Sequence, residues 1–223
     1  GDPSPVTAFG TYIGMKATVK KQMGKDSLSG LKVSVQGVGN VGYHLCKYLA
    51  EEEVEIYATD IDQQSLKKVA DDCNASIIDL DEIYDLDVDI YAPCALGATI
   101  NDDTLPKLKV SIVAGAANNQ LAEEAKHGQA LKDMGILYAP DYAINAGGLI
   151  NVANEIDGYN RERAFNQAEG IYDTLMTIYN TSDKENIPTN KAAEKVAIQR
   201  MEEISKLRNV FLPKQNPMNK RDN

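Results

Sequence analysis

Three glycines within six positions constrain this chain more than anything else in it. Gly37, Gly39 and Gly42 form a G-x-G-x-x-G turn inside KVSVQGVGNVGYHLCKYLAEEEVEIYATD, residues 32–60. Leu31, Val33 and Val35 predict a short buried strand before the turn, and Asn40–Glu52 an amphipathic helix after it. Each glycine has its own job: Gly37 allows a tight exit from the strand, Gly39 lets backbone approach a pyrophosphate, and Gly42 lets the helix pack close to the sheet. Free N–H groups and the positive dipole end at the helix start then face the phosphates. A second strand, Glu55–Thr59, ends at Asp60, where a carboxylate can accept both hydroxyls of an adenosine ribose. Strand, turn, helix and acid together read as a dinucleotide site. The alternative is a tight strand-to-helix turn with no ligand.

The expected cofactor is NAD rather than NADP. Asp60 is followed by Ile61 and Asp62, and the nearest bases, Lys67 and Lys68, lie a turn or more into the next helix. A 2′-phosphate there would meet carboxylates.

The chain's 223 residues, 43% hydrophobic and 25% charged, suffice for one good core with flanking helices. A formal net charge of -10 argues against nucleic acid or an anionic membrane as partner. Cys46, Cys73 and Cys94 are odd in number and form no C-x-x-C pair, so neither a disulfide framework nor a metal site is expected. A reducing cytoplasm fits that usage, and the sequence shows no run of about 18 apolar residues and no signal-peptide pattern. Starting at Gly1 without an initiator methionine, the chain reads as a portion of a longer protein.

In chain order, Ser4 as N-cap and Pro5 at the first helical position predict a helix over Val6–Met23, with Val6, Phe9, Ile13, Ala17 and Val19 apolar and Gly24 closing it. After the nucleotide unit come a helix at Asp62–Cys73, a strand at Ser76–Ile78, an acidic loop at Asp79–Asp87, and a strand at Asp89–Ala92 ended by Pro93. A short helix at Thr99–Leu108, a strand at Val110–Ala114, a helix at Ala122–Leu131 and a strand at Ile136–Ala139 follow. Alternation of this kind predicts an α/β fold: a Rossmann-type, doubly wound, mostly parallel sheet with a flanking N-terminal helix and two C-terminal helices. The first of those is one long helical stretch, Asn145–Asn180, with Ala164, Ala168, Ile171, Leu175 and Ile178 on its apolar face. Thr181–Ile187 reads as a polar break, and Thr189–Leu207 as the last helix, burying Ala193, Ala197, Met201 and Ile204. The expected organisation is therefore an entry segment at 1–30, a dinucleotide-binding core at 31–144, completing helices at 145–212, and a loose tail at 213–223.

Five ordered motifs, VTAFGTYIGMKA, QGVGNVGYHLCKYL, APCALG, GAANNQL and PDYAINAGGLINVANE, closely resemble the C-terminal domain of the amino-acid dehydrogenases that act on glutamate, leucine, phenylalanine and valine. The leucine, or branched-chain, members look nearest. That resemblance implies NAD-dependent oxidative deamination of an L-amino acid to a 2-oxo acid and ammonia, in a protein forming large homo-oligomers. It implies that Gly37, Val38, Gly39, Asn40, Val41 and Gly42 hold the pyrophosphate and Asp60 the adenosine ribose. It places Cys94, Ala95 and Leu96 along the cofactor, Ala116 and Asn118 beside the nicotinamide ribose, and Thr7 near the nicotinamide amide. Asn145 would reach nicotinamide and substrate together, with Thr174 and Thr177 closing the end of the substrate pocket. The family draws its catalytic lysine and aspartate from an N-terminal domain, and no segment like that domain's glycine-rich lysine loop occurs here, so no catalytic acid or base is expected in this chain.

Plainer readings stand beside these. Cys94 is expected to be a small buried residue; a covalent cysteine enzyme is the weaker alternative. His44 and His127 read as partly exposed or capping residues, Asn118–Asn119 as ligand contact or simple turn, Arg161, Glu162 and Arg163 as a solvated helix start, and the whole chain, alternatively, as a non-catalytic NAD-sensing or assembly module.

Overall fold

Strands that read as unbroken apolar runs need cover on both faces, and helices on both sides of a parallel sheet supply it. The computed structural model describes residues 2–211 except Asp157 and Tyr159; the expected tail from Pro213 lies outside the described residues. Its strands are β1 (Lys32–Gln36), β2 (Glu55–Thr59), β3 (Ser76–Ile77), β4 (Ile90–Pro93), β5 (Ile112–Val113) and β6 (Leu137–Tyr138). They form one sheet in the order β3-β2-β1-β4-β5-β6, parallel throughout. The chain winds outward from β1 to one edge, then returns to β4 on the other side of β1. A crevice therefore opens between the carboxyl ends of β1 and β4, where ligands bind in such sheets.

The helices are α1 (Ser4–Met23), α2 (Asn40–Glu51), α3 (Gln63–Cys73), α4 (Glu124–Asp133), α5 (Asp141–Ile144), α6 (Gly147–Ile156), α7 (Arg161–Glu169), α8 (Ile171–Glu185) and α9 (Thr189–Phe211). Alternate strand residues divide the core in two: Ile90, Ala92 and Ile112 join a large cluster with α1, α2 and α8, while Tyr91 and Val113 join a smaller one with Leu131 and Tyr138. Among the described residues no helix is long and apolar enough to cross a membrane.

Several expectations need correction. Ser4 lies inside α1, whose cap position is Pro3, because the Asp2 carboxylate already takes the Ser4 N–H at 2.9 Å. Thr99–Leu108 holds only a 3-10 turn at Leu105–Lys107. There the Asn101 side chain accepts the N–H groups of Asp103 and Thr104, competing with a helix, and Pro106 disfavours helical backbone before it. The long stretch after Asn145 is three helices, so among the described residues four rather than two follow residue 145. Gly158, at φ +82°, and Asn160, whose side chain caps α7 through the Arg163 N–H at 3.0 Å, interrupt it first, and Gly170 interrupts it again. Its apolar face is as expected, with Ala164, Ala168, Ile171, Leu175 and Ile178 all buried. The polar break is shorter than Thr181–Ile187, since α8 runs to Glu185 and ends on left-handed Asn186. In α9 the buried residues are Ala192, Ala193 and Val196. Ala197, Met201 and Ile204 are exposed, because the apolar stripe continues past Val196 with no described residues over it.

One polar cluster fastens α1 to the end of α2. The Glu52 carboxylate accepts from Lys16 Nζ at 2.6 Å, from the Leu28 N–H at 2.8 Å and from the Tyr12 hydroxyl, and the Tyr12 ring stacks on Tyr48 at 5.3 Å. Burial, the largest single influence, raises the Glu52 pKa; Lys16, Tyr12 and Leu28 together outweigh it and hold the carboxyl down to about 2. A folded-state pKa below the unfolded one contributes stability that is complete above about pH 4.5 and is lost as pH falls toward 2. At about 1.4 kcal/mol per unit, the contribution is roughly 3 kcal/mol at most. Glu52→Gln is therefore expected to cost about 2 kcal/mol at pH 7 and to flatten stability between pH 2 and about 5 in urea unfolding. An acid profile identical to the parent's would refute this role.

Candidate functional site

Strand β1 ends at Gln36, and the chain must turn at once to enter α2. Gly37 adopts φ +96°, and a Cβ there would lie 2.7 Å from the Ala95 backbone nitrogen. Its own N–H reaches the Thr59 carbonyl at 2.8 Å, seating the turn on β2. At Gly42 a Cβ would stand 2.0 Å from the Gly37 carbonyl oxygen. The close approach at this glycine is therefore to the turn itself rather than to the sheet. Gly39 differs, since nothing lies within 4 Å of where its Cβ would be. It is exposed, it precedes α2, and among the described residues no side chain caps that helix. The N–H groups of Asn40, Val41 and Gly42 thus sit at an uncapped helix start with the positive end of the dipole behind them, a cradle for an anion.

Asp60 holds the turn in shape. Its Oδ2 accepts the Val38 N–H at 2.7 Å and its Oδ1 the Asp62 N–H at 3.0 Å, a clamp the sequence reading did not foresee. A carboxylate has lone pairs beyond those two, so capacity for hydroxyls remains. The nearby bases are engaged elsewhere: Lys67 pairs with Asp71 at 2.7 Å, and Lys68 lies 3.8 Å from the Tyr43 ring centroid.

Across the crevice, the Cys94 N–H donates to the Gln36 carbonyl at 2.7 Å, and Ala95 and Leu96 are exposed, Leu96 by 78%. Cys94 is half-buried, and desolvation pushes its thiol up to about 11 against an opposing hydrogen bond from Ala116. Such a thiol stays protonated, which favours the small packing residue over a nucleophile. Beneath the turn, the Gln36 amide donates to the Tyr84 hydroxyl at 2.7 Å and accepts from the Tyr91 hydroxyl. These three residues were missed, and no local pattern marks them.

The loop after β5 is braced from below. Buried Gln120 donates through its amide to the carbonyls of Gly115 and Ala117, both at 2.9 Å. The turn reading of the asparagine pair holds at Asn119, and Asn118 takes a separate partner. Asn119, at φ +51°, makes the turn and accepts the Ala98 N–H, while exposed Asn118 accepts from the Asn145 amide. Asn145 also reaches the Ala116 carbonyl at 3.3 Å, so Ala116, Asn118 and Asn145 come together. Gly147 and Gly148 close this corner on α1, since a Cβ on the first would meet the Val6 carbonyl oxygen at 2.4 Å and on the second the Thr7 Oγ1 at 3.0 Å. Thr7 thereby joins Asn145 at one corner.

The two threonines of α8 separate. Thr174 lines a cavity of about 500 Å³ together with Ala146, the neighbour of Asn145. Thr177 is exposed, is not on that wall, and donates to the Asp173 carbonyl at 2.9 Å.

His44 is half-buried as expected. His127 is buried, not partly exposed, and does cap: its Nδ1 accepts the Glu123 N–H at 2.9 Å while Nε2 faces Asp102 at 3.0 Å. Asp102, Glu123 and His127 bring ligand-type atoms within 4.8 Å of one another, with Lys126 already bonded to Asp102 at 2.6 Å. Arg163 is no solvated start, since it donates to the Asn154 side chain and to the Gly158 carbonyl at 2.9 Å.

Comparison with known proteins identifies the chain's relatives. Residues 54–209 match the family Glutamate/Leucine/Phenylalanine/Valine dehydrogenase. The chain is 53% identical over 212 residues to leucine dehydrogenase of Bacillus subtilis (strain 168), covering 95% of this chain and 58% of that protein. It is 43% identical over 206 residues to phenylalanine dehydrogenase of Bacillus thermotolerans, covering 90% and 54%. The crystal structure of L-tryptophan dehydrogenase from Nostoc punctiforme superposes with a TM-score of 0.90 at 47% identity, covering 92% of this chain and 63% of the other. The chain thus spans a little over half the length of the curated relatives it matches.

Proposed function

Since the chain belongs to the glutamate/leucine/phenylalanine/valine dehydrogenase family, we propose that it is the NAD-binding, C-terminal part of an amino-acid dehydrogenase that deaminates a branched-chain L-amino acid such as leucine. The observation carrying this reading is the uncapped start of α2, open over Gly39 and clamped by Asp60, at the crevice between β1 and β4. A dinucleotide fits that donor set: the N–H groups of Asn40, Val41 and Gly42 for the pyrophosphate, with Val38 held by Asp60 beside them, and the remaining lone pairs of Asp60 for the adenosine ribose. NAD, when bound, accepts the hydride released from the substrate Cα.

The chain's residues bind and orient. Cys94, Ala95 and Leu96 form the wall facing the glycine turn, and Ala116 and Asn118 form the next one, at the nicotinamide ribose. Asn145, fixed by Asn118 and Ala116, presents its amide to nicotinamide and substrate alike, while Thr7 lies at the nicotinamide amide. Thr174, on the cavity wall, stands toward the substrate's side chain, whereas Thr177, off that wall, does not close the pocket. Residues 31–144 make the dinucleotide-binding core, with 1–30 leading in and 145–212 completing it. The catalytic lysine and aspartate are supplied by an N-terminal domain, in a cytoplasmic homo-oligomer. The leucine reading is supported by the leucine dehydrogenases, at 50% and 53% identity, against 48% for a tryptophan enzyme and 43% for the phenylalanine enzyme.

Two measurements test this. Calorimetric titration of the 223-residue chain is expected to show weak NAD binding, with no leucine-dependent NADH production. No heat at millimolar NAD, or measurable turnover, counts against the assignment. The full-length protein, offered leucine, valine, isoleucine, phenylalanine and glutamate, is expected to work fastest on a branched-chain substrate; a preference for glutamate would overturn the leucine reading alone.

A further inference from the structure

The cavity of about 500 Å³ that Thr174 borders is walled mainly by aliphatic groups, among them Ala143, Ile150, Ile171, Ala193 and Val196, drawn from α5, α6, α8 and α9. An apolar concavity of that size accommodates a small molecule's hydrocarbon part. Its polar groups sit apart. Tyr142 lies toward the start of α9, donating to the Asn190 carbonyl at 3.4 Å, whereas Arg200 lies about 15 Å further along that helix.

The Arg200 end is an unused cation. Both Nη atoms of Arg200 lie 3.3 Å from Thr174 Oγ1, a long shared contact to a hydroxyl that already donates to the Gly170 carbonyl. Among the described residues no carboxylate pairs with Arg200, in a chain of formal net charge -10. Its remaining donors form a fork suited to a carboxylate. The Tyr142 end has the opposite character: burial first, and then the carboxylates of Glu194, Glu124 and Asp141, push that phenol up to about 12. An anion is therefore repelled at one end of the trough and attracted at the other.

We propose that this cavity binds a short aliphatic carboxylate, with its hydrocarbon chain along the apolar wall and its carboxylate on Arg200. The inference does not rest on the cofactor reading, since no cofactor-contacting residue named above lines the cavity; only its 2-oxo acid arm rests on the placement of Thr174 toward the substrate. One chemistry has two possible sources: a simple fatty acid acting as an effector, or the 2-oxo acid of the reaction itself. Titrating octanoate, octanamide and 4-methyl-2-oxopentanoate separately into the 223-residue chain, without NAD, distinguishes them.

Octanoate is expected to bind saturably, and octanamide about tenfold more weakly, since it lacks the charge. Arg200→Gln is expected to weaken octanoate about tenfold and leave octanamide unchanged. Ala197→Leu, which adds bulk at an exposed wall position, is expected to weaken both about tenfold. Tighter binding of 4-methyl-2-oxopentanoate than of octanoate would assign the site to the reaction's own 2-oxo acid, and the reverse order to an effector. Thermal unfolding monitors the fold of each variant. If Arg200→Gln unfolds, Arg200→Lys serves instead, with an expected loss of about threefold from the missing fork, and the acid-to-amide ratio on the parent chain decides independently. Equal binding of acid and amide, no saturable binding, or an octanoate affinity indifferent to Arg200 would each overturn the proposal.

Discussion

Gly42→Ala is expected to weaken NAD binding by at least about a hundredfold and to destabilise the chain at the same time. The new Cβ would stand 2.0 Å from the Gly37 carbonyl oxygen, a backbone atom that cannot swing aside like the end of a side chain. Gly37 has nowhere to retreat, because its N–H is bonded to Thr59 and Ala95 presses from behind. Relief must come from opening the turn, an overpacking cost of about 1–3 kcal/mol. An opened turn also misaims the N–H groups of the cradle. Losing two hydrogen bonds to a charged group, at about 1.5–3 kcal/mol each, exceeds a hundredfold in affinity. Gly39→Ala supplies the contrast, because a Cβ there meets nothing within 4 Å. Its unfolding midpoint is expected to stay near the parent's while its NAD affinity falls, since the methyl occupies the phosphate's approach. Calorimetry and thermal unfolding on the two variants separate damage to the fold from exclusion of ligand. Undiminished NAD binding by Gly42→Ala would mean the turn cradles no phosphate.

NAD is expected to bind at least about a hundredfold more tightly than NADP. A 2′-phosphate placed about 4 Å from Asp60 meets roughly 4 kcal/mol of repulsion at an effective dielectric near 20, and loss of the ribose hydrogen bonds adds about 1–3 kcal/mol. Half that total, allowing for screening, still gives the hundredfold preference. Lys67 and Lys68 offer no relief, being engaged with Asp71 and the Tyr43 ring. Asp60→Ser is expected to narrow the gap to about tenfold, with Ile61→Arg narrowing it further through a fork for the phosphate. Because Asp60 also holds the Val38 N–H, Asp60→Ser should weaken NAD by more than the ribose contact alone. Equal affinities of the unmodified chain for NAD and NADP would show that the ribose lies elsewhere.

What was legible in the sequence is what sterics and periodicity decide locally. Strand β2 falls at Glu55–Thr59 and α2 begins at Asn40 as expected, because strand-forming residues, a glycine turn and an amphipathic repeat follow one another without ambiguity. The helix expected across Thr99–Leu108 failed since Asn101 and Thr104 offer the backbone side-chain partners that outcompete a helical turn. The buried side of α9 was misjudged for another reason. Met201 and Ile204 have helical spacing, but burial needs something to lie over them, and periodicity alone cannot supply it. In the site, the glycine turn was readable because its spacing is local, with Gly42 answering the Gly37 carbonyl within the same turn. The clamp by Asp60 on Val38, the tyrosines beneath Gln36 and the bracing by Gln120 were not, since they join residues that only the finished sheet brings together.

The strand order has a consequence for how quickly the chain can become competent. Strand β1 pairs with β2 through one short excursion, but its other neighbour is β4, so Val33 must wait for Ile90. The α1 hydroxyl of Thr18 meets Tyr179 from 161 positions away. Contacts this remote demand loop closure before they return any stabilisation, and parallel sheets built on them fold slowly. The crevice between β1 and β4 does not exist until the more remote pairing has closed. A nascent chain therefore acquires its glycine turn early and the opposing wall of the crevice late, and a dinucleotide that needs both would bind only near the end of folding, acting as a latch on the finished sheet rather than as a template for it.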